Sequence, residues 1–306
     1  MNDKITISTF QLFQMYPDQE AGRMYLEKRL WPNGVKCPHC ANTDRITARK
    51  DGFYRCNACK QDFTIRTGTI FERSHVPLHK WIYAMYLLVT SRKGISSLQL
   101  SKEIGITQKS AWFLLQRLRE ACGNDFTELR GIVEVDETYI GGKERGKHDS
   151  KKLKAGRGTV GKIAVVGMRE RGGRTKAKPI ITADAVSLHT AILDNVVPGS
   201  TLHTDEHTGY QGIDGADYTH KSINHSAGEY SKNGVTTNGV ESVWAVLKRG
   251  LHGVYHHASG KHLARYVNEF TFRLNDGNVH RQTLSRLDSF VDAVVGRRIT
   301  YKELTA

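Results

Sequence analysis

Four of the five cysteines fall into two pairs, Cys37-Pro38-His39-Cys40 and Cys56-Asn57-Ala58-Cys59, with fifteen residues between them. Two C-x2-C pairs at that separation match a tetrahedral four-thiolate zinc site in which each pair forms one knuckle. The strand-like Arg45-Ile46-Thr47-Ala48 and Gly52-Phe53-Tyr54-Arg55 lie between the pairs, so residues 31–72 read as a zinc ribbon. So small a module has little core of its own, and structural Zn2+ would supply much of its folding free energy. The N-terminus lacks a signal peptide's basic and apolar regions, and the longest apolar run, Trp81 to Val89, is nine residues. Both features predict a cytoplasmic chain without a membrane span, where thiols stay reduced and paired cysteines hold metal rather than form disulfides. His39 reads as a bystander to the four thiolates. Cys122 reads as a buried apolar side chain.

A chain of 306 residues can bury a sizeable core. Its 45 Lys and Arg against 31 Asp and Glu give a formal charge of +14, which predicts a polyanionic partner. The charge is uneven: residues 143–178 hold thirteen Lys or Arg against Glu144, Asp149 and Glu170, a net ten of the fourteen. An amphipathic or lipidation pattern that would direct this charge to a membrane is missing, which favours nucleic acid.

Residues 1–30 read as a helical lead-in, with Phe10, Phe13, Met15, Met24, Leu26 and Leu30 as apolar positions and Pro17 as an interruption. Beyond the ribbon, Leu78, Trp81, Ile82, Met85, Leu88 and Val89 recur at helical spacing and predict a core-facing stripe. Ser96 and Gln99 have the form of a capping box starting a short helix that ends at Gly105; Thr107 then caps a second helix with Ala111, Leu114, Leu115 and Leu118 inward. Helix, glycine turn and helix make residues 73–125 a helix-turn-helix candidate for DNA, in which Gln108, Lys109 and Ser110 would reach the major groove first. The plainer reading of the same pattern is a small helical bundle.

From residue 126 onward the texture turns to strands. Residues 131–139 alternate, placing Ile132, Glu134 and Asp136 on one face and Val133, Val135 and Glu137 on the other. Strands at 163–168 and 179–182 extend an antiparallel meander, and a helix through Leu188, Ala191, Ile192 and Val196 stops at Pro198-Gly199. The strand Thr201 to Thr204 then delivers Asp205 to a turn. A strand at 218–223 follows, then a helix around Glu241, a second over 261–274 and a C-terminal helix with Leu284, Leu287, Val291 and Val294 inward. Three acids on three separate elements, Asp136, Asp205 and Glu241, are what a divalent-metal site requires. The fold class is therefore α/β, as an α+β mixed sheet, and the element order over 126–306 is the plan of an RNase H-like catalytic domain.

With these residues in view the chain resembles DDE-type bacterial insertion-sequence transposases that join an N-terminal zinc ribbon and helical DNA-binding segment to an RNase H-like domain. The resemblance rests on the two cysteine pairs, on Val135-Asp136-Glu137-Thr138-Tyr139-Ile140-Gly141-Gly142-Lys143, on Thr204-Asp205 and on Asn238-Gly239-Val240-Glu241-Ser242-Val243-Trp244 through Leu247-Lys248-Arg249. Gly253 to Ser259 and Phe270 to Asn275 match as well, so the motifs span nearly the whole chain. The resemblance implies that Asp136 and Asp205 are the first two catalytic acids. At the third position such proteins differ between Glu and Asn, and this chain carries Asn238 and Glu241 one turn apart. A carboxylate binds a hard cation better than an amide, which assigns Glu241 as third ligand, with Asn238 as the alternative and otherwise a helix N-cap.

The activity implied is that of a DNA transposase using two Mg2+ (or Mn2+) ions about 4 Å apart. It would hydrolyse phosphodiesters at the ends of its insertion sequence and join the freed 3′-hydroxyl to target DNA. Double-stranded DNA is the expected partner, in the nucleoid, with a homodimer or higher assembly on the DNA. Lys248, on the Glu241 face, and Arg249 are candidate phosphate contacts. Other neighbours have plainer readings: His203 and His207 as structural histidines, His252, His256, His257 and His262 as caps or phosphate contacts, and Trp244 as core. Glu137 reads as a structural contact and Glu134 as a neighbour of the site, while Arg273 and Asn275 would bridge the last helices to the sheet. Two other functions fit parts of the sequence: a zinc-ribbon DNA-binding regulator without catalysis, and an RNase H-like nuclease without strand transfer.

Overall fold

The computed structural model describes residues 6–123, 125–142, 148–153, 158–296 and 298–306. Lys143 of the sequence motif, Asn124, and residues 144–147 and 154–157 of the basic stretch lie outside the described residues. The chain divides into two compact units, residues 1–124 with 276–306, and residues 125–275. Among the described residues no helix is long and apolar enough to cross a membrane.

The first unit begins with α1 (Thr9–Met15), whose Ser8 and Gln11 form a reciprocal capping box, and α2 (Gln19–Leu30), capped by Asp18. Of the apolar positions expected there, Leu26 is buried, whereas Phe10, Phe13, Met15 and Met24 stay exposed. The ribbon follows as β1 (Ile46–Ala48), β2 (Tyr54–Cys56) and β3 (Asp62–Phe63), an antiparallel sheet with Phe63 under the thiols and Trp31 packed at its edge. Then come α3 (Leu78–Thr90), buried on nearly every side, α4 (Ser97–Ile104) and α5 (Gln108–Ala121). Ser96 accepts from the Gln99 N–H at the start of α4, and Gly105 ends it in the left-handed conformation, φ 62°, where a glycine carries no Cβ penalty.

The second unit carries a five-stranded mixed sheet built from β4 (Ile132–Ile140), β5 (Ile163–Glu170), β6 (Thr175–Ile180), β7 (Thr201–Thr204) and β8 (Thr219–Ser222). Its spatial order is β6-β5-β4-β7-β8; the first three strands form the expected antiparallel meander, and β7 runs parallel to both β4 and β8. The helix α6 (Ala185–Leu193) covers one face, where Val133, Val135, Val166, Met168 and Leu202 meet Leu188, Ala191 and Ile192. On the other face lie α7 (Asn238–Gly250) and α8 (Gly260–Leu274), with Val165 packed against Val240, Trp244, Leu247 and Phe270. Period-2 alternation in β4 is thus what sends Val133 and Val135 to one helix layer and Glu134 and Asp136 to the other.

The C-terminal segment departs from the sequence-based boundary. Residues 276–306 read as the end of the catalytic domain, yet they pack with the first unit. Leu287, Phe290 and Val291 of α9 (Thr283–Asp292) are fully buried, and the helix lies against α2 and α3. The Tyr25 hydroxyl donates to Asp288 at 2.7 Å, the Arg286 guanidinium donates to the Val89 carbonyl, and Ile70 N–H donates to the Val294 carbonyl at 3.1 Å. A final short helix, α10 (Tyr301–Thr305), is set by a Thr300–Glu303 capping box. The inward face of α9 was legible as apolar; which layer it would cover was not.

Candidate active site and metal centre

Asp136 and Asp205 come together through strand register. The parallel pairing of β4 and β7 sets Val133 opposite Leu202 and Glu134 opposite His203, and two residues further along the same ladder direction lie Asp136 and Asp205. Asp136 shares its face of β4 with Glu134, the side that α7 covers, and Asp205 directly follows β7, at the side of β4 where the chain, having built out to β6, returns to begin the other half of the sheet. Such a reversal of strand order, at the carboxyl end of parallel strands, leaves an open crevice.

Asp136 is tightly surrounded. Its Oδ2 accepts the Trp244 indole N–H at 2.8 Å, and the indole lies across Gly167, which pairs with Asp136 on the adjacent strand. A Cβ at Gly167 would stand 2.4 Å from the ring, so only glycine lets the indole lie flat there. Burial pushes the Asp136 carboxyl up to about 7 against the Trp244 bond, and the nearby charges of Glu137 and Asp205 add to the rise. Asp205 is half-buried and accepts the His207 N–H at 3.0 Å.

Glu241 stands in the first turn of α7, three residues before Trp244 and so beside it on the helix surface. Its carboxylate is 44% exposed and accepts from the Thr237 hydroxyl at 3.0 Å, with His225 Nε2 at 3.4 Å. The N-cap of α7 is Thr237, which corrects the expectation for Asn238; Asn238 is the first helical residue, exposed, with its N–H on Thr236 Oγ1 at 3.2 Å. Glu134 is buried and accepts the Val240 N–H at 3.0 Å, placing negative charge at the helix N-terminus. Arg171 bonds Glu134 and His203, both at 3.3 Å, and Arg169 ties β5 to Gly239 O and Ser242 Oγ, each at 2.7 Å. Glu137 faces the opposite layer, where it accepts the Tyr210 hydroxyl at 2.7 Å.

The four ribbon thiols form a second centre. All four sulfurs lie within 4.8 Å of one another, with Cys37 to Cys59 at 3.7 Å and Cys40 to Cys56 at 3.6 Å. A tetrahedron with Zn–S of about 2.3 Å has edges of about 3.8 Å, so these separations fit one zinc ion. The two knuckles share a backbone: Cys37 N–H donates to Asn42 O and Cys56 N–H to Gln61 O, and the residue after each second cysteine, Ala41 or Lys60, has φ near +60°. The Cys59 and Ala58 N–H groups lower the Cys56 thiol to about 6, whereas burial raises the Cys59 thiol to about 12 and Cys40 is raised as well, so the zinc assignment rests on the sulfur geometry. Cys122 is buried, as expected. Among the described residues this is the one group of three or more His, Cys, Asp or Glu whose ligand atoms approach so closely; Asp136, Asp205 and Glu241 do not converge to that distance.

Residues 128–275 match the profile of the ISXO2-like transposase domain, and residues 17–62 match that of a transposase zinc-ribbon domain. A protein of Halobacterium salinarum described as an uncharacterized protein in transposable element ISH50 is 30% identical over 256 residues, covering 79% of this chain and 86% of its own. The chain belongs to the ISXO2-like transposase family. An uncharacterized transposase-like protein of Haemophilus influenzae is 28% identical over 98 residues, 32% of this chain and 78% of its own. Among solved structures, a simian T-cell lymphotropic virus intasome overlays with a TM-score of 0.29 at 12% identity, covering 61% of this chain and 65% of that one, less than two-thirds of its length. A pre-cleavage Mos1 transpososome overlays at 0.23 and 10% identity, covering 69% of this chain and 78% of that one.

Within the transposase domain, several of the basic residues that suggested nucleic acid are committed to internal contacts. Arg174 pairs with Asp125 at 2.7 Å, Lys178 with Asp194 at 3.0 Å, and Lys176 donates to Asn195 at 3.3 Å, besides Arg169 and Arg171 above. Lys248 and Arg249 are exposed at the end of α7. Asn275 bridges α8 to β6 by bonds to Thr175 N–H and C=O, both at 2.8 Å, as expected, whereas Arg273 pairs with Glu269 inside α8. In the ribbon-containing unit Gln108, Lys109 and Ser110 are exposed; Lys109 Nζ stands 4.7 Å over the Tyr301 ring. The contacts of Trp244 and Gly167 with Asp136 and of His225 with Glu241 had no sequence signal, because each depends on register or on a turn that composition does not specify.

Proposed function

We propose that this transposase-family protein is a DNA transposase that cleaves at the ends of its insertion sequence and joins the freed 3′-hydroxyl to target DNA. The observation that carries this reading is the β4–β7 register, which brings Asp136 and the end of β7 that leads into Asp205 onto neighbouring strands, with the helix bearing Glu241 packed against β4. The β6-β5-β4-β7-β8 order, antiparallel then parallel, supports an RNase H-like domain. The donors are hard oxygens of the class that Mg2+ or Mn2+ takes, and the Asp136 carboxyl, raised to about 7 chiefly by burial and further by the charges of Glu137 and Asp205, is one whose ionised form a divalent cation would stabilise. Bound divalent ions would stabilise charge on the attacking and leaving oxygens of the phosphodiester.

The protein's own part is positional. Trp244 and Gly167 fix the Asp136 carboxylate, His207 N–H holds Asp205, and Glu134 anchors the start of α7 so that Glu241 rides on a fixed helix end. Glu241 is the third ligand in this reading, because it shares the helix surface of Trp244. Lys248, seven residues on along that surface, and Arg249 contact DNA phosphates. The α4–α5 pair acts as a helix-turn-helix that offers Gln108, Lys109 and Ser110 to the major groove, and the protein works on duplex DNA in the nucleoid as a dimer or larger assembly.

The test is incubation of the zinc-loaded protein with Mg2+ and DNA bearing its flanking inverted repeats. Nicking at the repeat end, lost in Asp205→Asn and Glu241→Gln while DNA binding persists, is expected; equal nicking by Asp205→Asn would refute the site.

A further inference from the structure

Glu206 follows Asp205 and grips a turn about twenty residues further along the chain. Its Oε2 accepts the His225 N–H at 2.8 Å, and its Oε1 accepts the Ser226 N–H at 3.0 Å and the Ser226 hydroxyl at 2.5 Å. Asn224 closes the same turn by accepting the Ala227 N–H at 3.0 Å. The turn presents the His225 ring to the start of α7, where Nε2 lies 2.9 Å from Thr237 Oγ1 and 3.4 Å from Glu241 Oε1. The Thr237 hydroxyl donates to Glu241 Oε1 at 3.0 Å, so its oxygen is left to accept a hydrogen bond from the ring N–H, which assigns the Nε2–H tautomer. Tyr230 flanks the imidazole, with ring centroids 5.6 Å apart.

Two details argue that this cluster serves Glu241 rather than the fold. Thr237 is the N-cap of α7 and 1% exposed, yet its side chain makes no capping bond. A threonine there ordinarily contributes about 1 kcal/mol to the helix by capping it; this one is turned instead toward a carboxylate that is 44% exposed. An exposed glutamate in a first helical turn otherwise samples several rotamers, and ordering it at the moment of metal binding costs side-chain entropy. Here the ordering is done beforehand.

We propose that His225 is a positioning residue for the third acid: with Thr237 it fixes the Glu241 carboxylate for a divalent cation, and Glu206 ties that setting to the strand end carrying Asp205. The inference rests on the reading of Asp136, Asp205 and Glu241 as the acids of a metal site. Partners that orient ligand carboxylates typically contribute 10–100-fold in metal affinity.

The test compares His225→Gln with His225→Asn in the full zinc-loaded chain. Both are neutral amides, but only the glutamine amide reaches the place of the ring's Nε2. Mn2+ binding is followed by the free-ion paramagnetic resonance signal, beside the Mg2+ dependence of repeat-end nicking. His225→Asn and Glu206→Gln should weaken Mn2+ binding roughly 10–100-fold and raise the half-saturating Mg2+ to match, while His225→Gln stays within a few-fold of the parent. A packing role alone would lower the melting temperature of all three and leave the Mn2+ titration in place. Parent-like Mn2+ binding in His225→Asn and Glu206→Gln, with binding lost in Asp205→Asn and Glu241→Gln, overturns the positioning role and keeps the metal site. Parent-like binding in those last two variants refutes the metal-site reading itself and the inference with it.

Discussion

The Trp244 indole N–H donates to Asp136 Oδ2 at 2.8 Å across the face of Gly167, so a core aromatic and a candidate catalytic acid share one fixed geometry. Gly167→Ala would drive a methyl to within 2.4–2.5 Å of the ring. The indole must lift, and overpacking of this kind costs ~1–3 kcal/mol. Urea unfolding of the variant should show that loss together with impaired repeat-end nicking. Trp244→Phe, which keeps an aromatic side chain but not the indole donor, should still impair nicking.

Asp136 also sets a pH dependence for the metal-free protein. Its carboxyl is raised from 3.8 to about 7, chiefly by burial, so the folded state holds the proton more tightly than the unfolded chain. The resulting penalty is absent below the unfolded pKa, grows as pH rises past 4, and is complete above 7. Asp136→Asn, which cannot ionise, should therefore gain stability over the metal-free parent as pH rises, by up to ~4 kcal/mol at pH 8 for a carboxyl raised from 3.8 to about 7 and by progressively less toward pH 4. Thermal melts in chelator across that range measure it; a gain that is the same at pH 4 and pH 8 would rule out ionisation of Asp136 as its source.

The legible parts of this chain were those written in local pattern. C-x2-C spacing announces the knuckles, period 2 in residues 132–136 separates Val133 and Val135 from Glu134 and Asp136, and the 3.6-residue repeat marks α3 and α5. Register and long-range partner choice are not local. Nothing near Gly167 says that it lies opposite Asp136, and nothing in Leu287 or Val291 says that their helix turns back to α2 and α3. Asn238 resembled a cap by residue type, but the cap falls one residue earlier, at Thr237, whose hydroxyl is occupied elsewhere.

Zinc should be structural in the strict sense. The buried cluster at the thiols is Phe63 with Cys37 and Cys56, edged by partly buried Trp31, Val35, Ile46 and Tyr54, too small to hold two knuckles without metal. About one zinc ion per chain is expected, and Cys37→Ser with Cys40→Ser, or strong chelation, should unfold the ribbon and abolish end binding. The transposase domain, with its own sheet and helices, should keep its near-ultraviolet spectrum. A ribbon that stays folded without metal, by amide exchange, would contradict this.

Truncation after Asn275 tests the division of the chain most directly. The cut leaves the transposase domain intact, since its ends are clasped within the unit: Arg174 holds Asp125 at 2.7 Å and Asn275 bonds Thr175. The same cut strips α9 from the ribbon-containing unit and removes Leu287, Phe290, Val291 and Val294, each fully buried. At about 1.5–3 kcal/mol for each large apolar side chain, the loss is of the order of the whole stability of a small domain. It also leaves the Val89 and Ile70 backbone groups without the Arg286 and Val294 bonds they make now. Residues 1–275 should thus show a folded sheet domain joined to a helical segment that is open to protease, whereas residues 125–275 alone should melt cooperatively. Native-like protection of α3 in the truncated chain would show instead that α9 is an accessory layer and that α2, α3 and α5 suffice as a core.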